Sequence, residues 1–230
     1  MSYILQIDTA IHAAYISIAK NGIVIAQQSN EAQKDHGTFL HIAIQNMLHQ
    51  IGISIHDVDA IAISAGPGSY TGLRLAFSTA KGLCFTLNKP LIAINTLEIM
   101  AATAKHFWVN AGNKKEVFFC PMIDARRMEV FSAVYNYSLN IVYEPVANVI
   151  DENYLQNLLV NQPILFVGDG ADKFKKITTN LNAIFVEPSY NHMIISDLAN
   201  KKYTKSVFEN IATASPFYLK EFFTTAVLYS

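Results

Sequence analysis

The chain opens on three short runs whose alternating and apolar residues suit strands: Tyr3 to Asp8, Ala14 to Lys20 and Ile23 to Gln28. Asn21-Gly22 separates the second from the third. That pair favours a tight hairpin, because both positions tolerate positive φ. The period then changes. Leu40, Ile44, Met47, Leu48 and Ile51 recur at helical spacing within Thr38 to Ile51, and Gly52 is a natural C-terminal stop. Asp59 to Ala65 is a mostly apolar run suited to a buried parallel strand. Gly66-Pro67-Gly68 breaks it, and Gly72 to Leu87 reads as a second helix with Ser69 or Thr71 as its cap. A strand over Leu91 to Ile94 and a helix over Thr96 to Lys105 complete the order βββαβαβα.

Residues Lys105 to Lys115 interrupt the periodicity with Asn110, Gly112 and Asn113. The same order then starts again. Val117 to Asp124, Glu129 to Tyr137 and Ile141 to Val146 read as strands, and Asp151 to Leu159 as a helix capped by Asp151. Ile164 to Val167 is a strand ending in Gly168-Asp169-Gly170. A short helix over Phe174 to Thr178, a strand over Ala183 to Val186 and a helix over Ile194 to Tyr203 follow. The fold class predicted is α/β, with two ribonuclease-H-like lobes over residues 1–107 and 108–230. Twin lobes of this order resemble the actin-like ATPase superfold. The apolar, aromatic run from Phe208 to Ser230 is expected to pack, in part back on the first lobe.

The two long helices of the first half are unusual. Thr38 to Ile51 has no formal charge, and Gly72 to Leu87 has only Arg74 and Lys81. A helix apolar nearly all round has to be covered on more than one side. Composition agrees: 51% of residues are hydrophobic and 15% charged, with a net charge of −1. That balance gives no global reason to bind nucleic acid or an anionic membrane. Two cysteines, Cys84 and Cys120, without metal spacing, point to reduced thiols in a cytoplasmic protein. The N-terminus has no basic n-region, and no apolar run reaches the roughly 20 residues of a membrane helix.

The loop between strand and helix at residues 66–72 presents backbone N–H groups at a helix start, a geometry that suits anions. It is not a P-loop, since Leu73-Arg74 stand where a Lys-Ser/Thr pair belongs. The run Gly66-Pro67-Gly68-Ser69-Tyr70-Thr71-Gly72-Leu73-Arg74, with Ala80-Lys81-Gly82, closely resembles the bacterial TsaB (YeaZ) family. Ile7-Asp8-Thr9 and Ile123-Asp124-Ala125-Arg126-Arg127-Met128-Glu129-Val130 fit it as well. So does Pro216-Phe217-Tyr218-Leu219-Lys220, with lysine where arginine is usual.

The resemblance implies a non-catalytic scaffold. Such a protein pairs with TsaD and, together with the ATPase TsaE, supports threonylcarbamoyl transfer to adenosine 37 of tRNAs reading ANN codons. TsaC makes the threonylcarbamoyl-adenylate. ATP and the divalent metal then belong to partner subunits and tRNA binds only within the complex; this chain has no cofactor of its own. The alternative is an actin-like kinase or phosphotransferase using Asp8 and the Gly66 loop. A glycoprotease-type peptidase is the remaining reading.

The chemistry-bearing residues bear on that choice. Asp8 and Thr9, at the tip of the first hairpin, are the candidate phosphate or magnesium contacts; the other reading is plain turn chemistry. Asp124 holds the matching place in the second half, and Gly168-Asp169-Gly170 ends a strand where sheet folds often bind ligands. TsaD proteins carry an Asn-His-x-x-x-His stretch whose histidines share one helical face and a metal. Here the stretch is Asn95-Thr96-Leu97-Glu98-Ile99-Met100, so Thr96 and Met100 replace the imidazoles. His36 and His41 are five apart, off the i, i+4 face; His41 and His49 fall on roughly one face but more than a turn apart, His56 follows them, and Ser69 lacks a nucleophile elbow.

The partner surface is expected on the two charge-poor helices. Gly72, Ala76 and Ala80 form a small-residue stripe, with Leu73 and Phe77 on another face of the same helix and Lys81 next in sequence; His41 and Gln45 stand on the first helix. A four-helix bundle with the equivalent pair of TsaD, or with a second copy in a homodimer, follows from this pattern. Burial of both helices within the chain is the competing expectation.

Overall fold

The computed structural model describes residues 1–11, 13–31, 36–188 and 191–219, and the side chains of these except His36 and His192. Lys220 and the remainder of the expected C-terminal packing run lie outside the described residues.

The first lobe is built from β1 (Tyr3–Asp8), β2 (Ala14–Lys20), β3 (Ile23–Asn30), α1 (His36–Ile51), β4 (Ala60–Ser64), α2 (Tyr70–Leu87), β5 (Leu91–Ile94) and α3 (Thr96–Asn110). Its sheet has the order β3-β2-β1-β4-β5. β1 runs antiparallel to β2 and parallel to β4, so the hairpin lies at one side and the crossover strands at the other. Asn21 and Gly22 both have positive φ, as the hairpin requires.

The second lobe repeats the plan with β6 (Phe118–Asp124), β7 (Glu129–Tyr135), β8 (Ile141–Val149), α4 (Gln156–Leu159), β9 (Ile164–Val167), α5 (Ala171–Lys175), β10 (Ala183–Phe185) and α6 (His192–Thr204). Its strand order is β10-β9-β6-β7-β8, the first order read from the other edge. The architecture is therefore two mixed α/β lobes of ribonuclease-H type, the actin-like ATPase fold. The predicted helix over Asp151 to Leu159 is cut to the single turn of α4. Leu155 takes left-handed φ of 57°, which ends any continuous helix there, and Asp151 instead accepts from the Asn153 N–H within a turn.

Residue parity along β1 and β4 sorts two cores. Leu5, Ile7, Ile61 and Ile63 meet Leu40, Met47, Ala76 and Ala80 of α1 and α2 on one face. Ile4, Ala60 and Ala62 meet Ile99, Ile195 and Leu198 of α3 and α6 on the other. Each fully buried leucine, isoleucine or methionine among them contributes about 1.5–3 kcal/mol. The lobes exchange support here. α3, from the first half, also sets Leu97, Ala101 and Ala104 against Phe119 and Leu165 of the second sheet. α6, from the second half, covers the first. The chain beyond α6 returns to the first lobe: Glu209 bridges to Leu91, and the Phe217 N–H donates to the Ala65 carbonyl at 2.7 Å.

Candidate functional site

A cavity of about 1000 Å³ opens between the lobes. The 66–72 loop and Ala10-Ile11 bound it on one side, and Ile123, Asp124, Arg126 and Gly168-Asp169 on the other. Ile99, Met100 and Thr103 of α3 also line it.

The first-lobe residues read from the sequence are committed elsewhere. Asp8 is buried, with 2% exposure; its Oδ1 accepts from Ser64 Oγ at 2.6 Å and from the Ala10 N–H at 3.0 Å. Thr9 is fully buried and donates its hydroxyl to the Gly72 carbonyl at 2.6 Å. Ala10 and Ile11, rather than this pair, face the cavity. The 66–72 loop lies directly on them. A Cβ on Gly72 would overlap the Thr9 carbonyl oxygen, and one on Gly68 the Ala10 carbonyl oxygen. This corrects the expectation of an open anion cradle at the start of α2. The Ser69 N–H donates to the Ala10 carbonyl at 2.7 Å, and the Gly72 N–H to Ser69 Oγ at 3.3 Å.

In the second lobe Asp124 sits at the end of β6 and faces the cavity. Lys173 of α5 reaches it: Nζ lies 2.7 Å from Asp124 Oδ1 and 2.9 Å from the Glu129 carbonyl. The Arg126 N–H also donates to that carboxylate, and the Asp124 N–H donates to Asp169 Oδ1. Burial, the largest single influence on Asp124, raises its pKa; the hydrogen bonds from Lys173 and Arg126 and their charges outweigh it, so the net shift is downward. Lys173 lies 49 residues from Asp124 in sequence, and no local pattern marks the pair. Gly168, at φ +96°, is packed so closely that a Cβ would overlap Met100 Cε and the Met122 carbonyl.

The histidine-replacing positions are also accounted for. Asn95 caps α3 by accepting from the Leu97 N–H, Thr96 is buried, and Met100 lines the cavity. Among the described residues no group of three or more His, Cys, Asp or Glu is placed to hold a metal. His41, His49 and His56 are exposed. Cys84 and Cys120 are buried free thiols, each pushed up to about 12 by burial. Among the described residues, no helix is long and apolar enough to cross a membrane.

The partner surface needs correction. Gly72, Leu73, Ala76, Phe77 and Ala80 are all buried in the chain itself, Ala76 and Ala80 completely. The small residues let α2 sit close to its own sheet, so they cannot meet another helix. Lys81 is half-buried and bonds to the carbonyls of Ala212 at 3.3 Å and Ala214 at 2.9 Å, clasping the C-terminal segment. His41 and Gln45 are exposed, beside Ile42 at 51% exposure. On α2 the outward residues are Tyr70, Arg74, Ser78 and Phe85, the last 82% exposed.

Two sheets of one strand order, with helices packed on both and a cleft between them, define a protein of the two-lobed actin-like ATPase fold. Residues 22–228 match the family model described as TsaD: tRNA N6-adenosine threonylcarbamoyltransferase. The chain is 30% identical over 177 residues to the tRNA threonylcarbamoyladenosine biosynthesis protein TsaB of Bacillus subtilis, covering 76% of this chain and 74% of that one. It is 29% identical over 228 residues to TsaB of Buchnera aphidicola subsp. Baizongia pistaciae, covering 95% and 98%. The structure of YeaZ from Pseudomonas aeruginosa superposes with a TM-score of 0.77 at 22% identity, over 95% of this chain and all of that one. The chain belongs to the TsaB (YeaZ) family.

Proposed function

We propose that this protein is a non-catalytic subunit that binds a TsaD-type partner and supports threonylcarbamoyl transfer to adenosine 37 of tRNAs reading ANN codons. One observation carries the reading: both carboxylates placed for phosphate or metal work are spoken for by the chain itself. Asp8 is bonded to Ser64 and Ala10 beneath a closed loop, and Asp124 is held by Lys173. A magnesium–nucleotide would have to displace a lysine ammonium at one end and a backbone contact at the other. Thr96 and Met100 supply no imidazole, and thioether sulfur suits hard divalent ions poorly. Metal and ATP chemistry then belongs to the TsaD-type subunit and to TsaE, and this chain needs no cofactor of its own.

The same commitments disfavour a kinase or phosphotransferase, and no serine–base pair favours a peptidase. The partner face on this reading is the outward side of α1 and α2, with His41, Ile42 and Gln45 on one helix and Arg74 and Phe85 on the other. Both helices lie on one face of the first sheet, so they present a common surface. The test is reconstitution. The repurified protein alone is expected to show no threonylcarbamoyl transfer, nucleotide hydrolysis or peptide cleavage, and its addition to a TsaD-type subunit with TsaE is expected to raise transfer. Turnover that copurifies with the isolated protein through successive columns would overturn it.

A further inference from the structure

The outward side of α2 carries an organised cluster. The Tyr70 and Tyr218 ring centroids are 5.6 Å apart. The Arg74 guanidinium lies 5.1 Å from the Tyr70 ring centre and donates to the Tyr70 hydroxyl at 2.6 Å. Tyr70 is 39% exposed, Tyr218 42% and neighbouring Phe217 43%. Two clasps bring residues from far along the chain to this place: Lys81 on the carbonyls of Ala212, 131 positions away, and Ala214, and the Phe217 N–H on the Ala65 carbonyl. Tyrosine and arginine dominate the energetics of protein interfaces, because they are large, amphipathic and lose little entropy when already held in place.

The charges around the cluster say what it fits. α1 has no formally charged residue, and α2 has only Arg74 and Lys81. Residues 210–219, laid along α2, have none. Lys81 is spent on carbonyl groups, and among the described residues Arg74 has no carboxylate partner. Among the described residues, this face is therefore without a carboxylate and holds one guanidinium oriented by a ring and a hydroxyl. A guanidinium recognises a carboxylate through a planar fork of donors. A second copy brings the same face and another arginine, so its described residues offer no acceptor there.

We propose that Tyr70, Arg74 and Tyr218 anchor the subunit interface and select a partner segment that presents a carboxylate to Arg74 and apolar surface to the rings. This inference rests on the pairing with a TsaD-type subunit proposed above. It further states that the cluster discriminates the acidic partner from a second copy of this chain.

Calorimetric titration of the full chain with the TsaD-type subunit tests it, with sedimentation of the chain alone reporting self-association. Phe85→Glu, on the same face outside the cluster, monitors the pairing surface itself. Arg74→Ala is expected to weaken heterologous binding about 10-fold and Arg74→Glu about 100-fold or more, within the range for interface anchors. Self-association is expected to be unchanged or stronger in both. Reversing one partner carboxylate to lysine is expected to restore binding to Arg74→Glu. The anchor assignment falls if Arg74→Glu binds within twofold of wild type while Phe85→Glu does not bind; the pairing surface then stands without it. It also falls if Arg74→Glu abolishes self-association, which makes a second copy the occupant. Failure of the wild-type chain to bind the TsaD-type subunit at all overturns the pairing reading and the anchor with it. Thermal unfolding separates a structural role: Arg74→Gln, which can still donate to Tyr70, is expected to melt like wild type yet bind as weakly as Arg74→Ala. Wild-type affinity in Arg74→Gln would show that the fork is not used.

Discussion

Gly72 and Gly68 decide whether the first-lobe loop can close. Neither has space for a methyl group, because the opposing atoms are backbone carbonyl oxygens of Thr9 and Ala10 and cannot rotate away. Gly72→Ala is expected to lower stability by about 3 kcal/mol or more, at the upper end of overpacking penalties, read from urea unfolding. Asp124 makes a smaller, pH-dependent contribution. Its folded pKa is depressed, so the stabilisation is present above the unfolded value of about 4 and is lost as pH falls through the lower folded value. The Asp124 side chain is 42% exposed, so the contribution is at most about 1 kcal/mol. The stability gap between wild type and Asp124→Asn is expected to be present at pH 7 and to narrow as pH falls below about 4; a gap that does not narrow on acidification would show that the carboxylate's charge is irrelevant. Cys84 and Cys120 are both pushed up to about 12 and buried. Iodoacetamide at pH 8 is expected to label neither thiol in the folded protein and both in urea, since only the thiolate reacts.

α2 shows why a helix can be recognised in a sequence while its orientation is not. Its boundaries follow from Ser69 at the N-cap and from left-handed Asn88 at the C-cap, where the N–H donates to the Cys84 carbonyl. Apolar residues run nearly all round it, however, and small residues at four-residue spacing suit a close sheet as well as a close partner helix. The buried side is fixed by β1 and β4, which are distant in sequence. Ala76→Glu is therefore expected to unfold the protein, because it places a charge with no partner in the core, whereas Phe85→Glu is expected to fold normally and lose pairing. A soluble Ala76→Glu with a wild-type melting curve would contradict the observed packing. The strands, the repeat and the Asn21-Gly22 turn were legible because each rests on neighbours in sequence. The Lys173–Asp124 pair and the Tyr70–Tyr218 contact were not, since each joins residues on different elements and neither has a local signature. The same holds for the exchange of α3 and α6, which depends on how two sheets share one core.

At the scale of the whole molecule the lobes are tied together by helices that each halve the work of covering a sheet. α3 packs on both sheets and α6 returns to the first, so the cleft is bounded by elements whose apolar faces are already satisfied. Charge over the whole chain is close to balanced, at −1. Phosphate contacts supply most nucleic-acid affinity and make it fall steeply with salt. A protein that grips tRNA alone needs a stripe of several lysines and arginines without interleaved acids. Among the described residues, the cleft rim carries Asp124, Asp169, Asp172 and Glu187 against Arg126, and the proposed partner face carries Arg74 with Lys81 bonded to backbone carbonyls. Binding of tRNA by the isolated protein is therefore expected to be weaker than about 1 μM at physiological salt, in the range of non-specific contacts. It is also expected to decline further as salt rises, with a shallow slope that reflects few phosphates engaged. Fluorescence anisotropy with a labelled tRNA across a salt series measures both quantities. Submicromolar binding that persists at 200 mM salt would require a recognition surface that the described residues do not form, and would make this protein a tRNA reader in its own right.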